Sequence, residues 1–148
     1  MENQEAVIRE LVELHGEGGV CPTAAEWRAI LSRPADRALE LLNLLAFVEE
    51  VETDDGPASG ADAYRAYTEA AAPAFERAGA TLLHLAPVEQ GFGTPPDQEW
   101  DMVVLTRYPT PRSVADFWLD EEFVAAHRHR ADGVARSLVL VLGRGAPA

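Results

Sequence analysis

The stretch Leu39-Glu40-Leu41-Leu42-Asn43-Leu44-Leu45-Ala46-Phe47 is apolar except at Glu40 and Asn43. A strand this apolar on both faces must be covered on both sides. Asn43, in its middle, carries an amide that needs a partner, which can be protein, water or ligand. A helical pattern opening with Tyr64 and Tyr67 comes next in the chain.

At 148 residues, the chain is long enough for one domain with a real core. Cys21 is the only cysteine, so neither a disulfide framework nor a cysteine-based zinc pattern is expected. No apolar stretch reaches membrane-spanning length, and the start lacks the basic-then-apolar order of a signal peptide. A cytoplasmic protein is the default expectation. The net charge of −13 argues against nucleic acid or an anionic membrane as partner. Its densest part, Glu49, Glu50, Glu52, Asp54 and Asp55, reads as a solvated acidic loop. All 12 basic residues are arginine. The absence of lysine excludes a Schiff base, pyridoxal-phosphate attachment and a Walker-type phosphate loop.

Residues 2–15 read as a short amphipathic helix stopped by Gly16, Gly18 and Gly19. Thr23-Ala24-Ala25-Glu26 has the form of a capping box and opens a second helix, with Trp27, Ile30 and Leu31 on one face. These helices, residues 1–36, look like an N-terminal extension to a domain over 37–148. That domain alternates regularly. A strand at 38–48 leads through the acidic loop to a helix at 61–78, in which Pro73 should produce a kink or a break. Strands at 80–89 and 100–108 flank a loop too long for a tight hairpin. A helical region over 111–131 should be interrupted near Leu119-Asp120, with Asp120 as N-cap of the second piece. The last strand covers 136–142. The order βαββαβ describes a split-βαβ, ferredoxin-like α+β unit. Its helices cover one sheet face, so a second subunit is expected on the other.

Several local sequences sharpen this reading. They are the Leu42-Asn43-Leu44-Leu45-x-Phe47 strand, the Tyr64-x-x-Tyr67 helix start and the segment from Trp100 to Pro109. Asp120-Glu121-Glu122-Phe123, His127-Arg128 and the Ser137-Leu138 strand complete the set. With these features residues 22–143 resemble the dimeric α/β-barrel superfamily, and more narrowly a bacterial domain-of-unknown-function branch of it. The resemblance implies a homodimer with one pocket per subunit. Better-known relatives include cofactor-free monooxygenases, polyketide cyclases and lactone isomerases, along with haem-dependent enzymes. Ala46 stands where relatives commonly carry Lys or Arg, so a charge supplied there is missing.

Asn43 is the first candidate for chemistry, because amide N–H groups can hold a carbonyl or a developing oxyanion. His127, on an apolar helix face with Phe123, Val124 and Ala131, is a candidate general base, while Arg128, His129 and Arg130 are expected to point elsewhere. His84 interrupts a buried-looking strand and is the second candidate base. Arg107 can clamp a carboxylate or an enolate, or else form an ion pair with Asp101 or a partner subunit. Tyr64, Tyr67, Trp100 and Tyr108 are the candidate pocket aromatics. No metal site is expected, since His127 and His129 fall on different sides of a helix. No cofactor is expected either; haem through His84 or His127 is the lower-ranked alternative that the superfamily brings in.

The preferred reading is a small cofactor-independent biosynthetic enzyme of cyclase, isomerase or monooxygenase type. It would act on an apolar, aromatic or polyketide-like carbonyl compound through an enolate. The alternative is a non-catalytic small-molecule-binding or accessory dimeric protein of the same fold.

Overall fold

Local chemistry sets the first two helices of the computed structural model, which describes residues 3–143. Helix α1 (Gln4–His15) starts where the Asn3 side chain accepts the Glu5 amide N–H, and it ends at Gly16 with φ 78°. Helix α2 (Ala24–Leu31) starts at the expected capping box. The Glu26 N–H donates to the Thr23 hydroxyl and the Thr23 N–H to the Glu26 carboxylate. Two otherwise orphaned donors are thereby satisfied. Arg28 clasps Glu5 with two hydrogen bonds of 2.8 and 3.1 Å, tying α2 to α1.

The remaining elements are β1 (Leu39–Phe47), β2 (Val51–Thr53), β3 (Gly56–Ala58), α3 (Gly60–Arg77), β4 (Thr81–Pro87) and β5 (Met102–Tyr108). They are followed by α4 (Pro111–Leu119), α5 (Glu121–Gly133) and β6 (Val134–Leu142). Four strands form an antiparallel sheet in the order β4-β5-β1-β6, which is the ferredoxin-like arrangement. The fold is therefore the expected α+β one, preceded by two N-terminal helices.

Two local expectations are corrected. The acidic segment is not a plain loop, because β2 and β3 pair as a small hairpin closed by Asp54-Asp55. Gly56, at φ 99°, supplies the backbone conformation that this turn requires. Pro73 does not break α3, which runs uninterrupted from Gly60 to Arg77 with Pro73 on its exposed side. The predicted interruption at Asp120 is present. Its carboxylate accepts the Glu122 N–H and receives Arg77 in two hydrogen bonds of 2.9 and 3.0 Å.

Alternation along β1 sends Leu39, Leu41, Asn43 and Leu45 toward the helices. Val7, Ile8, Leu11 and Trp27 from α1 and α2 join one core cluster with Leu39, Leu41, Phe117 and Phe123. The extension thus shares the core of the sheet and the later helices. Leu42, Leu44, Val103 and Leu105 point to the opposite face, outside both core clusters. Leu138 and Leu140 are more than two-fifths exposed on that same side.

A tight convergence joins the layers. The Val48 N–H donates to the Gly133 carbonyl at 3.0 Å, and the Gly60 N–H to the Val48 carbonyl at 3.1 Å. A Cβ on Gly60 would lie 2.6 Å from the Gly133 carbonyl oxygen, so the end of β1, the start of α3 and the end of α5 meet only because Gly60 lacks one.

Candidate functional site

The helices do not lie flush on the sheet. Between them is a cavity of about 630 Å³, within the size range of small-molecule sites. Leu41, Asn43, Val104, Thr106 and Tyr108 form its floor on β1 and β5. Tyr64, Tyr67, Ala71 and Phe75 of α3 form one wall. Val20, Cys21, Trp27 and Ile30, from α2 and the strap before it, form another. Phe117 and Trp118 of α4 and Arg130 of α5 also line it, as do Val139 and Val141 of β6 and the charged residues Glu26 and Arg33.

Asn43 faces Val104 across the β1–β5 ladder, and its amide Nδ2 donates to the Val104 carbonyl at 3.2 Å. That carbonyl accepts only, so the nitrogen is the atom turned to it. One N–H of the amide and its Oδ1 stay available to the cavity.

Tyr64 and Tyr67 are three residues apart on α3, one helical turn, with ring centroids 5.4 Å apart. Neither hydroxyl has a hydrogen-bond partner among the described residues. No fully buried polar atom among them is left unsatisfied, so both hydroxyls open onto the cavity. Burial pushes both phenols above their usual range, opposed by the charge of Arg130, which keeps them protonated donors at neutral pH. Tyr108 is raised by burial as well, and it packs edge-on against Phe75.

Arg130 is the residue that sequence reasoning missed. It is 5% exposed and lines the cavity. Its hydrogen bond is from Nη1 to the Val20 carbonyl at 3.4 Å, and no carboxylate pairs with it among the described residues. The expectation that Arg130 points away from the buried face is therefore corrected. The buried stripe of α5 is Phe123, Ala126, His127 and Arg130, positions i, i+3, i+4 and i+7. Two full turns from Phe123 end at Arg130, whereas Val124 and Ala131 are not buried.

His127 is buried but does not line the cavity. Its ring packs among those of Trp118, Phe123 and His15, and Nε2 lies 4.0 Å from Cys21 Sγ. Burial first, then the charges of Arg130 and His15, push His127 down to about 4, so it is neutral at neutral pH. Cys21 stands between His127 and the cavity. Burial raises its thiol, with Arg130 opposing.

Three other candidates lie elsewhere. His84 is exposed beside a β-bulge, on the sheet face away from the helices, because β4 is an edge strand and not a buried one. Arg107 is also on that face, paired at 2.8 Å with Glu40 directly across the ladder. Asp101, its expected partner, instead accepts the Phe47 N–H. Trp100 carries the Arg136 guanidinium over its ring at 4.7 Å, outside the cavity. The structure thus brings Asn43, Tyr64, Tyr67 and Tyr108 together and keeps His84, Arg107 and Trp100 apart from them. Neither His84 nor His127 lines the cavity, so they do not fit haem ligation inside it. Among the described residues no cluster of His, Cys, Asp and Glu has the make-up of a metal site, and no helix is long and apolar enough to cross a membrane.

Fold and cavity define a ferredoxin-like α+β protein with a partly open, largely apolar site that includes one buried cation. Residues 58–144 match the family described as "Domain of unknown function (DUF1330)", and the chain belongs to that family. It is similar to RPA0582, a protein of unknown function from Rhodopseudomonas palustris solved as a structural genomics target. Identity is 26%, over 88% of this chain and 100% of the other, with a TM-score of 0.79. The methylated form of RPA0582 gives the same identity and TM-score over 97% of its length. A dimeric protein of unknown function and ferredoxin-like fold from Bacteroides fragilis is 14% identical, over 74% of this chain and 98% of its own, with a TM-score of 0.45; that is too distant to bear on this chain. None of the curated proteins compared with the chain matches it.

Proposed function

We propose that this protein is a small enzyme acting on a flat, mostly apolar carbonyl compound, which it holds as an enolate-type anion against Arg130. The observation that carries this reading is a guanidinium, 5% exposed, that lines a mostly apolar cavity with no carboxylate at ion-pair distance among the described residues, Glu26 of the same lining included. A buried charge without a counter-ion is costly, and an anionic ligand supplies what is missing. The free N–H of Asn43 and the Tyr64 and Tyr67 hydroxyls are donors for the same oxygen. Aromatic and aliphatic walls suit a planar body. Cyclisation, isomerisation and oxygen insertion can each proceed from such an enolate, in the manner of small cofactor-independent cyclases, isomerases and monooxygenases.

Because His127 reaches the cavity only past Cys21 and is a weak base, the reading favours a substrate that ionises readily, such as a 1,3-dicarbonyl or a phenol. The same observation supports a second reading, a non-catalytic binder of such anions. Deuterium exchange at the central carbon of a bound 1,3-diketone separates the two. Exchange that is accelerated by the wild type and lost in Arg130→Met supports an enzyme. Binding without acceleration supports a binder, and no binding at all removes both. A second copy of the chain is proposed to cover the apolar face of Leu42, Leu44, Leu105 and Leu140; native mass spectrometry should show a dimer.

A further inference from the structure

We propose that Cys21 is a nucleophile that adds reversibly to an α,β-unsaturated carbonyl compound held in this cavity, with His127 taking the thiol proton. The proposal rests on the reading that the cavity holds a carbonyl oxygen at Arg130.

Geometry places the parts in order. Cys21 lines the cavity, and its Sγ lies 4.0 Å from Nε2 of His127, a residue that does not line it. With its proton on Nδ1, His127 offers the Nε2 lone pair to the S–H. Two polar side chains, each more than nine-tenths buried, point to a ligand independently of the cysteine. Among the described residues, the hydroxyl of Tyr64, 7% exposed, has no hydrogen-bond partner, and Arg130, 5% exposed, has only the Val20 carbonyl. Val20 and Cys21 are adjacent, so the Arg130 charge and the thiol lie at the same end of the cavity.

The step balances without a co-reactant. Sulfur forms a bond to the β-carbon as the S–H proton passes to Nε2, and the C=C electron pair moves to leave the enolate charge on oxygen beside Arg130. The α-carbon then takes a proton from solvent through the mouth of the cavity while His127 gives up its own, leaving a saturated thioether and a neutral imidazole. Reversal expels the thiol. Burial keeps Cys21 a thiol and His127 neutral at rest, so the site is quiet until an electrophile brings its own oxygen to Arg130. An alkylating agent whose transition state leaves no charge on oxygen gains from His127 but not from an oxyanion contact with Arg130.

The test uses the full chain with benzylideneacetone, a flat enone, followed by intact-mass spectrometry. Its saturated analogue, 4-phenylbutan-2-one, is followed by quenching of Trp27 and Trp118 fluorescence, because both rings line the cavity. The wild type should gain the mass of one enone, and Cys21→Ala should gain none. His127→Gln and Arg130→Met should each react at least about tenfold more slowly with the enone; iodoacetamide alkylation, which also needs the thiolate, should slow with the enone reaction in His127→Gln but fall much less than it in Arg130→Met. If the saturated ketone binds but the enone adds no faster than to free glutathione, Cys21 is not a nucleophile and the carbonyl reading survives. If neither compound binds, both proposals fall together.

Discussion

The Arg130 guanidinium donates to the Val20 carbonyl at 3.4 Å, so the buried cation of the cavity is tied to the strap before α2 and not to a carboxylate. A single neutral acceptor leaves most of its desolvation uncompensated. Arg130→Met should therefore leave the folded state as stable as the wild type, or stabilise it by about 1–3 kcal/mol, as apolar replacement of buried charges often does. Urea denaturation checks this. A loss of several kcal/mol would show that Arg130 is a structural residue.

His127 titrates near 4 in the folded protein, below its ordinary value of 6.5, because of burial and the charges of Arg130 and His15. Between those two values the unfolded chain binds a proton that the folded chain refuses. Stability should fall as pH drops from about 6.5 toward 4, by up to roughly 3 kcal/mol from this residue. His127→Phe should flatten that part of the curve. Parallel pH profiles for wild type and variant would show that the imidazole is not shielded as described.

Gly60 sits where three backbones meet, and a side chain there has nowhere to go. Gly60→Ala should destabilise by about 3 kcal/mol or more, because backbone and not flexible side chains must yield. Gly56→Ala, with open space around it, suffers only from its positive φ and should cost less. Equal melting temperatures for the two variants would contradict the account.

Asp120 caps α5 and holds Arg77. Asp120→Ala should cost about 1–2 kcal/mol, mostly through the lost cap. Arg77→Met should cost less than Asp120→Ala, because that side chain is half exposed. Thermal melts of the two variants rank them, and the opposite order would assign the stabilisation to the ion pair.

Features that depend on a few neighbouring residues were legible in the chain. Thr23 and Asp120 mark helix starts because a capping side chain acts within three residues. The apolar run around Asn43 announces a central strand, and alternation puts Asn43 on the helix-covered face with Leu41. What depends on strand order was not legible. His84 looks buried until β4 proves to be an edge strand, and Arg107 meets Glu40 only through the β1–β5 register. Cys21 gave no local signal, since its neighbour His127 is 106 residues away. Arg130 was readable in principle. Counting seven residues from Phe123 finds it, whereas counting eight gives Ala131 and misses it.

The central claim is that Arg130 makes the cavity an anion-holding carbonyl site. The most direct measurement is a fluorescence titration of wild type and Arg130→Met with a flat 1,3-diketone, reading the cavity residues Trp27 and Trp118. The account predicts saturable quenching for the wild type and at least about a tenfold weaker affinity for the variant, matching the loss of one charged hydrogen bond. Equal affinity in the two proteins would contradict it.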